Sequence, residues 1–323
     1  MASLWPAAVT EHETVVQTCI GSGVDPDPLN HKSINMLFVN TTDKQSGKEV
    51  KLRYQEYGSG KPVVFIHGWP LNGDMFEYQF EALSRHGLRC IAYDRRGFGY
   101  SSKVGDSYNY DTLADDLNAV LTELDLRDVT LVGFSMGGGE VARYIGKYGQ
   151  DRIAGAVLIS SVTPYMLNTD NHDGVEWEVF QGMIDGMRKD RPDFLAGWAK
   201  NFYGIGLLNH PVSDALLGWT QGMAMIGSGK AGVDYIEAFA KTDFRNDLKK
   251  FTVPTLIIHG EDDKIVPVKV GGDATHEMLP QATYHKYDDA PHGLFYTHKE
   301  RLNEDLLSFV NTKAKASRNV SVS

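Results

Sequence analysis

Gly133-Phe134-Ser135-Met136-Gly137 is the segment of this chain best suited to chemistry. Glycines two residues before and two after a serine permit a turn too tight for larger side chains. Such a turn exposes the hydroxyl beside the free N–H groups of a following helix. A serine hydroxyl is a weak nucleophile unless a base takes its proton and a third group orients that base. Two downstream segments offer those partners. Gly260-Glu261-Asp262-Asp263 sets three acids just past an apolar run, and Ala290-Pro291-His292-Gly293 sets a histidine in a loop. Spacing alone does not choose among the acids. His67-Gly68-Trp69-Pro70 follows another apolar run. The backbone N–H groups of Trp69 and Met136 are the candidate donors to an oxyanion. His67 precedes the serine and reads as a residue that fixes its own loop by hydrogen bonds.

These residues need a scaffold, and the pattern around them describes one. Pro62–His67, Cys90–Tyr93, Val129–Phe134, Ala156–Ser160 and Thr255–His259 are short apolar runs of the kind that form strands covered on both faces. Thr283–Tyr287 is a weaker example, and Met36–Asn40 with Val50–Glu56 reads as a hairpin around Lys44–Lys48. Between the strands, Leu113, Leu117, Val120, Leu121 and Leu124 repeat at helical spacing, with Asp115 and Asp116 expected to face away. Val141 to Tyr148 and Leu302 to Val310 repeat that pattern. Alternating strands and helices imply an α/β fold with a mostly parallel sheet. Residues 163–245 break the rhythm: they hold no clear strand and carry Trp177, Trp198 and Trp219. They read as a helical insertion able to wall an apolar pocket.

Other chemistries fit poorly. Lys and Arg total 32 against 42 Asp and Glu, a net charge of −10, so the phosphate attraction expected of a nucleic-acid binder is missing. Gly227-Ser228-Gly229-Lys230-Ala231-Gly232 matches a dinucleotide loop by letter but follows no strand. No histidine or cysteine grouping has zinc spacing, so neither metal nor cofactor is expected. Cys19 and Cys90 make no disulfide framework, and Cys90 opens a buried strand. No apolar run is long enough to span a membrane. The first residues, with Glu11 and Glu13, do not resemble a signal peptide, and a cytoplasmic location is expected.

The segments HGWPLNGD (His67–Asp74), YDRRGFGYSS (Tyr93–Ser102), VGFSMGGGEVARYI (Val132–Ile145), His259–Pro267 and Ala290–Phe309 together resemble the cofactor-free haloperoxidase, perhydrolase and aryl esterase branch of the α/β-hydrolases. The resemblance spans roughly residues 50–310. It implies the α/β-hydrolase fold with a helical lid, Ser135 as nucleophile, His292 as base, and Asp263 rather than Asp262 as the acid. It also implies Trp69 and Met136 as oxyanion donors. The lid is expected to include Phe202-Tyr203-Gly204 and Thr242-Asp243-Phe244-Arg245. Asp94, Arg95 and Arg96 read as a charge-paired structural turn.

The domain reading is an N-terminal extension at 1–35, a hydrolase core at 36–162 and 246–312, a helical lid at 163–245 and a flexible tail at 313–323. The expected partner is a small ester with an apolar acyl or alcohol group, met by Trp69, Phe134, Trp198 and Phe202. The expected activity is ester hydrolysis through an acyl-enzyme, with a perhydrolase side reaction. A non-enzymatic small-molecule receptor on the same fold is the alternative. Oligomeric state, a homo-oligomer included, is open.

Overall fold

A computed structural model describes residues 36–170 and 172–320, with side chains described as far as 312. The expected N-terminal extension, including Cys19, and residues 321–323 lie outside the described residues.

The chain opens with β1 (Leu37–Thr42), β2 (Glu49–Tyr57) and β3 (Lys61–Ile66), then α1 (Glu77–Ser84), β4 (Leu88–Tyr93) and α2 (Tyr110–Glu123). The centre follows with β5 (Val129–Phe134), α3 (Met136–Tyr148) and β6 (Ile153–Ile159). Four helices then run consecutively: α4 (Trp177–Lys189), α5 (Arg191–Phe202), α6 (Asp214–Ile226) and α7 (Gly229–Lys241). The chain closes with α8 (Arg245–Leu248), β7 (Thr255–Gly260), α9 (Ala274–Met278), β8 (Thr283–Tyr287), α10 (Leu294–Thr297) and α11 (Lys299–Val320).

The eight strands form one sheet in the order β1-β2-β4-β3-β5-β6-β7-β8. β1–β2 and β2–β4 are antiparallel, and every later pairing is parallel. Helices on both faces leave the central strands nowhere to expose a side chain. All six residues of β5 and of β7 are accordingly buried. β8, at the sheet edge, is mostly uncovered, which explains its weak apolar signal. Parallel strands align their C-terminal ends, so the loops after β3, β5 and β7 open on one edge of the sheet.

Two expectations change. Asp116 does not face away from the α2 stripe but is fully buried, accepting from Arg96 Nε at 2.6 Å and Nη2 at 2.7 Å. It lies three residues after Leu113 and four before Val120, which places it on the apolar face. The backbone of α11 stays helical to Val320, so 313–320 extend the last helix. Lysine, alanine and arginine are strong helix formers, and the segment is rich in them.

The insertion between β6 and β7 is helical because its caps are local. The side chains of Asp190, Ser213 and Ser228 accept from backbone N–H groups in the first turns of α5, α6 and α7. The Gly227–Gly232 stretch is thus the capped start of α7. Between α5 and α6 the chain runs over the surface, and Leu207 and Leu208 are each 98% exposed. Among the described residues, no helix is long and apolar enough to cross a membrane.

Candidate active site

Ser135 stands between the last residue of β5 and the first of α3. Its backbone, at φ 54° and ψ −117°, occupies a region that side chains rarely adopt. The flanking glycines make this turn possible. A Cβ on Gly137 would lie 2.2 Å from the Ile66 carbonyl oxygen, and one on Gly133 would lie 2.5 Å from that of Gly137. The hydroxyl is thus presented at the C-terminal edge of the sheet.

The loop after β7 brings Asp263, and the loop after β8 brings His292. His292 Nδ1 lies 2.6 Å from Asp263 Oδ2, and Nε2 lies 2.9 Å from Ser135 Oγ. A carboxylate only accepts, so Nδ1 carries the proton and Nε2 offers its lone pair to the serine O–H. The other Asp263 oxygen accepts the backbone N–H groups of Ile265 (2.9 Å) and Val266 (2.8 Å). Burial by itself would raise the Asp263 carboxyl. His292 and His259 beside it outweigh this and hold it well below the ordinary carboxylate value. Glu261 and Asp262 are exposed, as are Asp288 and Asp289.

His67 has no nitrogen free to act as a base. Its Nε2 accepts the Arg95 N–H at 2.9 Å, and its Nδ1 lies 2.9 Å from the Gly68 carbonyl. Burial and the Arg95 charge depress its proton affinity well below that of an ordinary histidine. Arg95 also donates from Nη2 to the His67 carbonyl at 2.7 Å and from Nε to Glu140 on α3 at 2.8 Å. Tyr93 adds a hydrogen bond to Glu140. Arg95, Glu140 and His67 are all fully buried. One buried pair therefore joins the loop carrying Trp69 to the helix beginning at Met136. Asp94 and Arg96 form charge pairs as well, with Arg53 and with Asp43 and Asp116.

Trp69, Ser135 and Met136 line one cavity of about 40 Å³. Its remaining wall is apolar, including Met166, Phe180, Trp198 and Phe239. Trp69 meets the lid directly, donating from Nε1 to the Gly232 carbonyl at 2.8 Å and packing edge-on against Trp198. An outer pocket of about 480 Å³ shares Val179, Met183, Trp198 and Ile265 with the cavity, and Lys264 and Asp193 stand at its rim.

Phe134 and Phe202 do not line the cavity. Both are fully buried and pack on the His292 ring, with centroids at 4.9 Å and 5.2 Å. Neighbouring residues leave a strand on opposite sides, so the turn that aims Ser135 at the cavity sends Phe134 beneath it. Phe202 is one helical turn past Trp198 on α5 and reaches deeper. Of the three lid tryptophans only Trp198 reaches the cavity. Trp219 lines a surface groove with Tyr57 and Asp74, and Lys241 lies over the ring of Trp177.

Two residues here carry no role in the sequence reading. Glu140 is one, since its partner is 45 residues away. The other is His259, whose Nε2 lies 2.9 Å from the Val266 carbonyl and 3.4 Å from Asp263 Oδ2. Its place at the end of an apolar strand four residues before the acid is the signal that was available. Among the described residues, no three His, Cys, Asp or Glu side chains gather as a metal ion would require.

Comparison with known proteins agrees with this architecture. The family model for the alpha/beta hydrolase fold matches residues 61–299. The chain is 45% identical to the non-heme chloroperoxidase CPO-A1 of Kitasatospora aureofaciens over 81% of its length and 96% of that protein. It is 40% identical to the bifunctional esterase/perhydrolase DCH of Acinetobacter calcoaceticus, over 86% of this chain and 100% of that one. The crystal structure of a bromoperoxidase from Bacillus anthracis superposes with a TM-score of 0.80 at 44% identity, covering 84% of this chain and 99% of the other. The chain belongs to the α/β-hydrolase family, on the branch that holds the non-haem haloperoxidases and esterase/perhydrolases.

Proposed function

We propose that the protein is a carboxylic-ester hydrolase that works by acyl transfer from Ser135, with perhydrolysis as a second outcome of the same acyl-enzyme. The observation that carries this reading is the continuous hydrogen-bonded run from Asp263 through His292 to Ser135, whose hydroxyl faces a cavity walled by apolar side chains.

Ser135 Oγ attacks the ester carbonyl as His292 Nε2 takes its proton. Asp263 keeps the imidazole in the required tautomer and stabilises the imidazolium that forms. The negative charge on the former carbonyl oxygen falls to the N–H groups of Met136 and Trp69. Met136 is the first residue of α3, where N–H groups lack an intrahelical acceptor. One such donor is worth roughly 10²–10³ in rate. His292 returns the proton to the leaving alcohol, and water frees the acid. Hydrogen peroxide in place of that water yields a peracid, which oxidises halide in solution. That route links the chloroperoxidase and esterase/perhydrolase names of the relatives to one set of residues. The apolar cavity favours short aliphatic or aryl esters. A buried free thiol at Cys90, with its ionisation pushed up to about 12, fits the reducing cytoplasm.

Replacing Ser135 with alanine tests the reading. Turnover of p-nitrophenyl acetate is expected to fall by more than about 10³-fold, with loss of fluorophosphonate labelling. Retention of more than about a tenth of the rate in a folded sample removes Ser135 as the covalent nucleophile.

A further inference from the structure

Three of the chain's ten methionines, Met136, Met166 and Met183, line the cavity that holds the Ser135 hydroxyl. Met136 and Met166 are 0% and 2% exposed on the outer surface, so oxidant reaches them chiefly through the cavity itself. Met183 lines both the cavity and the outer pocket. A thioether is a soft nucleophile that peroxy compounds convert to a sulfoxide.

We propose that these methionines are sites of turnover-dependent oxidation, in which peracid formed at Ser135 oxidises the wall of its own cavity before escaping. This rests on the perhydrolysis reading above. The methionine sulfur attacks the terminal peroxy oxygen. An S–O bond forms, the O–O bond breaks, and the departing carboxylate keeps the peroxy proton. Sulfur is oxidised to the sulfoxide and the peracid is reduced to its parent acid, with hydrogen peroxide as the oxidant consumed upstream. A space of about 40 Å³ leaves a peracid in contact with its walls from the moment it forms. A sulfoxide sets a strong dipole into an apolar surface, which disfavours the acyl group that must return there. Each perhydrolysis cycle thus carries a chance of ending the series, whereas hydrolysis carries none.

The test is peptide mass spectrometry after defined numbers of turnovers of ethyl acetate with hydrogen peroxide. Excess free methionine is added to trap peracid that reaches solution. Met36, 49% exposed, reports bulk oxidant, and Met75, fully buried away from the cavity, reports background. Sulfoxide at one or more of Met136, Met166 and Met183 is expected to exceed that at Met75 by at least about tenfold. It should rise with turnovers and persist when free methionine protects Met36. In Ser135→Ala under the same conditions it should stay at background. Cavity methionines no more oxidised than Met75, while free methionine sulfoxide accumulates above its level in Ser135→Ala, overturn the proposal. Free methionine sulfoxide no higher during ester turnover than in the Ser135→Ala sample removes the perhydrolysis reading, and the proposal with it.

Discussion

Asp263 is buried, yet it is surrounded by groups that prefer it charged: two backbone N–H donors, the Nδ1–H of His292, and His259. Replacing it with asparagine keeps the size but removes the acceptor that fixes the His292 tautomer. We expect kcat on p-nitrophenyl acetate to fall by about 10⁴-fold with the fold retained. The same carboxylate links stability to pH. Its folded value lies below the ordinary 3.8, so on acidification the unfolded chain takes up the proton first. Its stabilising contribution is complete above that ordinary value and is lost as pH falls toward the depressed one. The urea midpoint of the wild type should therefore drop more between about pH 5 and pH 3 than that of Asp263→Asn, and equal drops refute this account. Ser135 and His292 could be picked out beforehand because glycine spacing and short loop motifs are written locally, whereas the choice of Asp263 among its neighbours came from the family resemblance. For His259 the sequence offered only its place four residues before the acid, and its part depends on where the Val266 carbonyl lies after folding.

Among the elements, the decisive contact is the buried Arg95–Glu140 pair, which ties the loop after β4 to α3 and, through the Arg95 bond to the His67 carbonyl, holds the loop after β3 as well. Burial pushes the Glu140 carboxyl up and the Arg95 guanidinium down, so each depends on the other to stay charged. Glu140→Gln leaves the guanidinium without its counter-charge. A loss of about 3 kcal/mol is expected by urea denaturation. As the His67 carbonyl loses a firmly held donor, the spacing of the two oxyanion N–H groups relaxes, and kcat should fall by about tenfold. Unchanged kcat in the folded variant separates the pair from the positioning of the oxyanion loop. Strands and helices were legible because burial on both faces writes apolar runs and one-sided burial writes stripes. The buried charges were harder. Arg95 and Arg96 announced a charge-paired turn, but Asp116 read as a residue facing away from the apolar stripe and Glu140 carried no role. A charged residue on an apolar stripe looks misplaced until its partner is known.

For the molecule as a whole, the sheet supplies the chemistry and the lid sets the size of what reaches it. Phe180 on α4 is 2% exposed and closes one side of the cavity. Phe180→Ala should raise the butyrate-to-acetate turnover ratio of p-nitrophenyl esters by about tenfold, and an unchanged ratio moves the acyl site elsewhere. The lid's apolar composition was plain in the sequence, but which aromatics face the cavity was not. Phe134 and Phe202 support His292 from below, and Trp219 turns to the outer surface: the first direction is set by alternation at the end of β5, the other two by how α5 and α6 pack. The bare surface run holding Leu207 and Leu208 has a consequence of its own. A single protease cut there divides the molecule into one fragment with Ser135 and another with Asp263 and His292. The β6–β7 ladder crosses the division, and so does the packing of α5 on α6. Briefly digested enzyme should stay active on a native gel while running as two bands under denaturing conditions. Once unfolded and diluted, it should regain activity only as fast as the fragments find each other.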